Sequence, residues 1–227
     1  MLVLLTRLKK LRLKEKVWEL ELSSYQVKEI FYTIQGEGFM TGRPAVFCRF
    51  TGCNLWSGRE EDRKTAICNF CDTDFVGGEK FCAPTLVQRC NSVWGAKGVS
   101  DDKFVVLTGG EPMLQVDDYL IKVFHSFSFQ VAIETNGTIE VKEDIDWVCV
   151  SPKANSELKQ KKGDEIKLVY PQPLNPKDFE DLDFNHFILQ PKDGEDLESN
   201  TQACINYCQM NPKWRLGLQT HKYIGMQ

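Results

Sequence analysis

Three cysteines are spaced unlike any common thiol pair. In "TGCNLWSGREEDRKTAICNFCDTDF" (51–75), fourteen residues separate Cys53 from Cys68, and two separate Cys68 from Cys71. A structural zinc ion usually takes four protein ligands, so zinc would need a fourth donor, for which Cys48, Cys82 or Cys90 is available. A disulfide takes two thiols and leaves one over. A [4Fe–4S] cluster is normally held by four thiolates. Three would leave one iron with an open position, where a substrate or cofactor can bind.

Further polar, glycine-containing stretches could complete such a site: "TGGEP" (108–112), "ETNGT" (134–138), "SPK" (151–153) and "QPKDG" (190–194). Any one of them alone reads as a turn, since Gly, Pro and Asp favour turns. Each, however, directly follows a short apolar, β-branched run, and in parallel α/β folds ligands bind at the carboxyl ends of the strands. Six such runs predict strands at 44–50, 103–109, 130–135, 146–151, 165–170 and 186–191. Helical patterns fit only 84–95, 115–127 and 196–210. Strand–helix alternation argues for right-handed parallel crossovers, and the missing helices rule out a full eight-stranded barrel. The expected fold is α/β: a reduced partial (β/α) barrel of about six parallel strands with fewer helices than strands.

The chain has 227 residues, enough for one sizeable domain. Hydrophobic residues make up 42% and charged residues 26%, ordinary globular usage. A net charge of −4 gives no footprint for a nucleic-acid backbone, and no run approaches the length of a membrane-spanning helix. Nine cysteines, an odd number without a disulfide-scaffold context, favour a reducing compartment. A cytoplasmic location is expected. The basic, leucine-containing start reads as an extension over residues 1–24, followed by a single domain over 25–227. Cys48 and Cys149 fall in apolar strands and Cys204 and Cys208 lie one helical turn apart, so these four read as small buried hydrophobes.

In order along the chain, "IQGEG" (34–38), "CDT" (71–73), "TGGEP", "ETNGT", "SPK", "QPKDG" and "THKYIG" (220–225) resemble the 7-carboxy-7-deazaguanine synthases of the radical S-adenosylmethionine superfamily. The motifs span almost the whole chain from residue 27, and an aromatic, Phe70, precedes the last cysteine. One departure stands out. The superfamily loop commonly has three residues between its first two cysteines, whereas this chain has fourteen. The extra length must loop out, at a closure cost of order ~1 kcal/mol, and its "REEDRK" core reads as a solvated excursion.

The resemblance implies one [4Fe–4S] cluster on Cys53, Cys68 and Cys71, with Thr73 as a Mg2+ ligand and Asp72 and Asp74 as second choices for that ion. If this segment were a strand, the two aspartates would point away from the Thr73 face. It implies S-adenosyl-L-methionine contacts at Phe70, Cys71, Asp72, Gly110, Ser151, Pro152, Lys153, Gln190, Pro191, Lys192 and Asp193. The implied substrate is 6-carboxy-5,6,7,8-tetrahydropterin. Hydrogen abstraction at its C6 would start a ring contraction that releases ammonia, a carbon–nitrogen lyase step toward queuosine and other 7-deazapurines. Ile34, Gln35, Gly36 and Glu37 would read the amino-pyrimidine edge, and Thr108, His221 and Gln227 would be further substrate contacts. Arg49 offers a fork suited to the substrate carboxylate; its plainer alternative is a surface ion pair. Glu134 is the candidate for proton handling, its alternative being a hydrogen bond to turn backbone. A flavodoxin- or ferredoxin-type reductant and a homodimer are implied partners.

Two rivals use the same residues differently. A radical activating enzyme acting on a partner protein would share the cluster and "GGEP" but not "IQGEG" or "QPKDG". A non-enzymatic zinc-binding module would account for "CNFC" and leave the strand-end motifs unexplained. Turnover without a partner polypeptide and iron content, respectively, separate them from the synthase.

Overall fold

The computed structural model describes residues 24–96 and 101–226. Nearly all of the expected extension, and Gln227, lie outside the described residues. Among the described residues, nine strands form one sheet: β1 (Ser24–Ile34), β2 (Pro44–Phe50), β3 (Glu79–Cys82), β4 (Lys103–Gly109), β5 (Phe129–Thr135), β6 (Trp147–Val150), β7 (Lys162–Tyr170), β8 (Asp183–Pro191) and β9 (Trp214–Leu216). Their order is β3-β1-β2-β4-β5-β6-β7-β8-β9. From β2 onward every pairing is parallel, which makes seven parallel strands. β1 runs antiparallel to both β2 and β3.

The six expected strands are β2, β4, β5, β6, β7 and β8. The correction is three more. β1 escapes because Lys28 and Glu29 interrupt its apolar run, at the point where its register with β2 shifts; β3 and β9 are short. Among the described residues, four α-helices accompany the nine strands: α1 (Ala83–Gly95), α2 (Asp118–Ser126), α3 (Leu197–Met210) and the short α4 (Thr220–Ile224). The β5–β6 and β6–β7 connections carry no helix. Asn175 and Asp117 start their helical turns by accepting hydrogen bonds from the N–H groups of Lys177 and Leu120.

The core lies on the outer face of the sheet. Leu86, Val87, Cys90 and Trp94 of α1 and Leu120, Ile121 and Phe124 of α2 pack on β2, β4 and β5, while Cys204 of α3 and Trp214 pack with Ile166, Leu168 and Leu189. Of the cysteines read as buried, Cys48, Cys149 and Cys204 are so and Cys208 is half-buried. The inner face is different in kind. Parallel neighbours in register share a face, and the pairings Arg49↔Thr108, Glu134↔Cys149, Cys149↔Glu165 and Glu165↔His186 lay a row of polar residues across the concave side.

The β1–β2 loop folds into this concavity. Phe39 stacks on His186, with centroids 3.8 Å apart, and its N–H donates to Glu165 Oε2 at 2.6 Å. Gly38, at φ +67°, lies where a side chain would strike the Glu165 carboxylate. At the opposite rim, Glu111 of "GGEP" is fully buried and accepts from Met113 N, Thr135 Oγ1 and Asn136 N at 2.7–2.9 Å. Burial pushes its pKa up against those three donors. This clasp ties the end of β4 to the end of β5.

Candidate active site

The strand ends and the loops after them surround one cavity of about 380 Å³, within the range of small-molecule sites. Cys53, Cys68 and Cys71 line it, and the other six of the nine cysteines do not. Cys68 and Cys71 are hydrogen-bonded, which pushes Cys68 up and pulls Cys71 below the ordinary thiol value. Burial raises Cys53. Of the remaining residues singled out from the sequence that the structure describes, all line this cavity except Pro152, which is buried beside it.

The cysteine loop is fastened to its neighbours. Asn54 donates to Thr138 Oγ1 at 2.7 Å and accepts from Asn136 Nδ2 at 3.0 Å, so "ETNGT" holds the loop as well as lining the cavity. Cys68 N donates to Leu55 O at 3.2 Å, closing the long insertion at its base.

The insertion is exposed to solvent, as expected, and it is also ordered. It forms a 3₁₀ turn over Glu60–Thr65, and Arg63 reaches back from it. The Arg63 guanidinium sits 4.1 Å from the Trp56 ring centre, takes Glu60 in a two-point fork, and donates through Nη1 to Asn69 O at 3.1 Å and Cys71 O at 3.0 Å. Trp56 in turn meets Phe75 edge-on. Arg63→Ala is expected to speed chymotrypsin cleavage near Trp56 and Phe70 roughly tenfold or more, since a hydrogen bond from a charged group is worth about 1.5–3 kcal/mol. Thermal melting should change little, because the sheet does not depend on this loop.

Residues 71–75 are not a strand, so alternation does not decide between Thr73 and its neighbours. Asp74 instead pairs with Lys28 at 2.8 Å. Asp72 pairs with Lys222 at 2.7 Å and accepts from Gln219 Nε2 at 3.2 Å. Lys222 also takes Asp193 at 2.6 Å, so one lysine of α4 joins the cysteine loop to the end of β8.

Arg49 meets Glu29 through Nε at 2.7 Å, on the cavity wall. Lys153 donates to both Ser151 O and Ser151 Oγ at 2.7 Å. Burial lowers its pKa, against the pull of the Cys68 and Cys71 sulfurs. The carbonyls of Gln35 and Gly36 are already engaged: Gly42 N donates to the first, and Thr220 donates to the second through both N and Oγ1. His221 packs so closely over Gly36 that a Cβ there would lie 2.3 Å from Nδ1.

Glu134 does not bond turn backbone. Its Oε2 accepts from Lys167 Nζ at 2.7 Å and its Oε1 from Gln35 Nε2 at 3.2 Å. The same ammonium reaches Glu37 Oε2 at 2.7 Å, and Gln219 Nε2 takes Glu37 Oε1 at 2.8 Å. Burial opposes ionisation of Glu37, but Lys167 and Gln219 hold its carboxyl below the usual range. Among the described residues, Glu134, Cys149 and Glu165 also place ligand-type atoms within 4.8 Å of one another; the Lys167 ammonium on Glu134 opposes a cation there. Lys167, Gln219, Lys222, Asn54 and Asn136 are not among the residues the sequence points to.

The donor sets suit the groups the motifs imply. Three thiols and no fourth match a cluster with one open iron. Among the described residues, the buried Gln190 Oε1 has no hydrogen-bond partner, an acceptor on the cavity wall awaiting a ligand donor. The Thr73 hydroxyl suits a hard cation that keeps waters and ligand oxygens in its shell.

A partial parallel barrel whose strand-end cavity carries a three-cysteine loop defines a small-molecule enzyme class rather than a zinc module. No protein-family model matches the chain. It is 54% identical over 210 residues to the 7-carboxy-7-deazaguanine synthase of Caulobacter vibrioides, covering 89% of this chain and 99% of the relative. It is likewise 54% identical over 211 residues to that of Bradyrhizobium diazoefficiens, covering 90% and 100%. The solved structure of QueE from Escherichia coli superposes with a TM-score of 0.62 at 26% identity, covering 91% of this chain and 99% of that one. The chain belongs to the 7-carboxy-7-deazaguanine synthase family.

Proposed function

We propose that the chain is a radical S-adenosylmethionine lyase that converts 6-carboxy-5,6,7,8-tetrahydropterin to 7-carboxy-7-deazaguanine with release of ammonia, in queuosine biosynthesis. The observation that carries this reading is the meeting of the three cavity thiols with the Glu37, Glu134 and Arg49 side chains in one cavity. Cys53, Cys68 and Cys71 would hold a [4Fe–4S] cluster, Gln190, Ser151, Asp193 and the end of β4 would hold S-adenosylmethionine, and Thr73 would hold Mg2+. Once bound, these groups supply one-electron chemistry and charge stabilisation.

The protein's own residues do the rest. Glu37 and Glu134 present carboxylate acceptors to ring N–H donors, and Arg49 offers its guanidinium to the substrate carboxylate. Glu134 can take up or return a proton at the ring. Phe70, His221 and α4 cover the cavity and limit access of water. A flavodoxin- or ferredoxin-type reductant would deliver the electron, and a reducing, cytoplasmic setting would keep the cavity thiols available for the cluster. A homodimer, which sedimentation tests, would cover exposed apolar side chains such as Met210, Tyr223 and Ile224.

The decisive experiment is anaerobic reconstitution with iron and sulfide, followed by dithionite, S-adenosylmethionine, Mg2+ and the carboxytetrahydropterin, with product read by mass. Wild type should form 7-carboxy-7-deazaguanine without any partner polypeptide, and Cys68→Ala should form none. Cofactor cleavage with the pterin untouched would sink the substrate assignment. A protein that holds zinc and builds no cluster would sink the whole reading.

A further inference from the structure

Lys167 is the most deeply buried cation of the site, with 6% of its side chain exposed. It stands on the inner face of β7, between Glu37 of the β1–β2 loop and Glu134 of β5, 2.7 Å from each. Each carboxylate gives its second oxygen to an amide side chain, Gln219 in one case and Gln35 in the other. A buried ammonium is costly unless paired, and two carboxylates in one pocket are costly unless a cation stands between them. The three groups therefore make one arrangement that none of them would keep alone.

We propose that Lys167 is a positioning residue for the substrate: it holds the Glu37 and Glu134 carboxylates at a fixed spacing, so that together they accept the adjacent N–H donors of a 2-aminopyrimidinone ring. This rests on the reaction assigned above. Lys167 is not placed to act as a nucleophile, because an ammonium held by two carboxylates keeps its proton.

The consequence is a dependence on pH that a merely structural lysine would not give. The charged and titratable groups around the pair are Asp72 near Glu37, Cys149 and Glu165 near Glu134, and Lys153 across the cavity. His186 adds a ring beside Glu165. Apart from Lys167, the cations among them make no hydrogen bond to Glu37 or Glu134. With Lys167 replaced by methionine, the Glu37 carboxyl, which burial pushes up and Lys167 holds down, would retain its proton at neutral pH and turn a donor toward the ligand's donors. Raising the pH would remove that proton and restore the acceptor. Binding to the variant should therefore tighten with pH, while wild type, in which Lys167 holds the Glu37 carboxyl below the usual range, should show no such rise.

The test uses reconstituted holoenzyme and 7-carboxy-7-deazaguanine as the probe, titrated by calorimetry from pH 6 to 9, beside the same compound lacking its 2-amino group. For Lys167→Met, binding of the full probe is expected to weaken at least tenfold at pH 7 and to recover toward pH 9. Preference over the 2-desamino compound should fall, with iron content and S-adenosylmethionine binding as in wild type. Lys167→Arg should keep the flat pH profile. Should Lys167→Met not fold, the pair Lys167→Met with Glu134→Gln, which removes one charge of each sign, carries the same comparison of probes. Unchanged affinity with a flat profile in the methionine variant, or a wild type indifferent to the 2-amino group, overturns the role of Lys167. A wild type that binds neither compound overturns the assigned reaction and this proposal with it.

Discussion

Gly110→Ala should leave a protein that melts several degrees lower and takes up little iron. A Cβ at this position would lie 2.0 Å from Gly52 O, 2.5 Å from Gly52 C and 3.1 Å from Cys53 Cβ. Two of those three atoms are backbone, which cannot swing aside as a side-chain tip can. The strand ends of β2 and β4 would have to part, straining the bonds Gly110 N→Phe50 O and Glu111 N→Gly52 O at 3.2 and 2.8 Å. Overpacking typically costs about 1–3 kcal/mol, and each lost hydrogen bond adds about 0.5–1.5 kcal/mol. At roughly 2–4 °C per kcal/mol for a chain of this size, melting should fall by about 5–10 °C. Cys53 follows directly after Gly52, so the same displacement moves one of the three thiols. Differential scanning calorimetry and iron analysis separate this from a purely cofactor-facing glycine. Normal melting and iron with weakened S-adenosylmethionine binding would mean that the glycine serves the ligand alone.

That close approach shows what the sequence could and could not display. "TGGEP" is legible as a strand-end motif, because two glycines and a carboxylate after an apolar run have few other uses. Its internal division of labour is not. Gly109, at φ +127°, and Gly110 let β4 close on β2, and Glu111 clasps β5; both depend on partners distant in sequence. The parallel strands are legible for a related reason. Covered on both faces, they read as continuous apolar runs, as in Phe104–Leu107, which are all fully buried. β1 lines the cavity with Glu29, Phe31 and Thr33 and so loses the apolar signature of a strand.

Lys167 was hidden by the opposite bias. In "EIKLVY" a lysine reads as the solvent side of a strand. The signal that could have found it is alternation: Ile166 and Leu168 must face the apolar core, so Glu165 and Lys167 must face the other way. In a parallel sheet that other face is the cavity, where a charge needs a partner. Arg63 carried no such signal. Its bonds go to the carbonyls of Asn69 and Cys71, six and eight residues on, and a charged insertion gives no hint that its chain turns back.

The C-terminal segment tests how far the site depends on one small residue outside the cysteine loop. Gly36→Ala should lower turnover by about two orders of magnitude, while the protein melts close to wild type. The added Cβ would meet His221 at Nδ1, Cβ and Cγ, at 2.3, 2.7 and 2.8 Å. His221 Cβ is fixed to the backbone of α4, so the helix as a whole must retreat. Thr220 would then lose its two bonds to Gly36 O, Gln219 its hold on Glu37, and Lys222 its bridge between Asp72 and Asp193. None of these contacts supports the main core, since α4 has no buried residue, so stability should be spared. Misplacing catalytic groups by about 1 Å can cost roughly 10²-fold in rate, and Glu37, His221 and Asp193 would all shift together. Kinetics beside thermal melting, with limited proteolysis of residues 217–226, would read the three effects separately. A variant that turns over as wild type would mean that α4 can move aside without cost, and that the closure it makes over the cavity plays no part in the reaction.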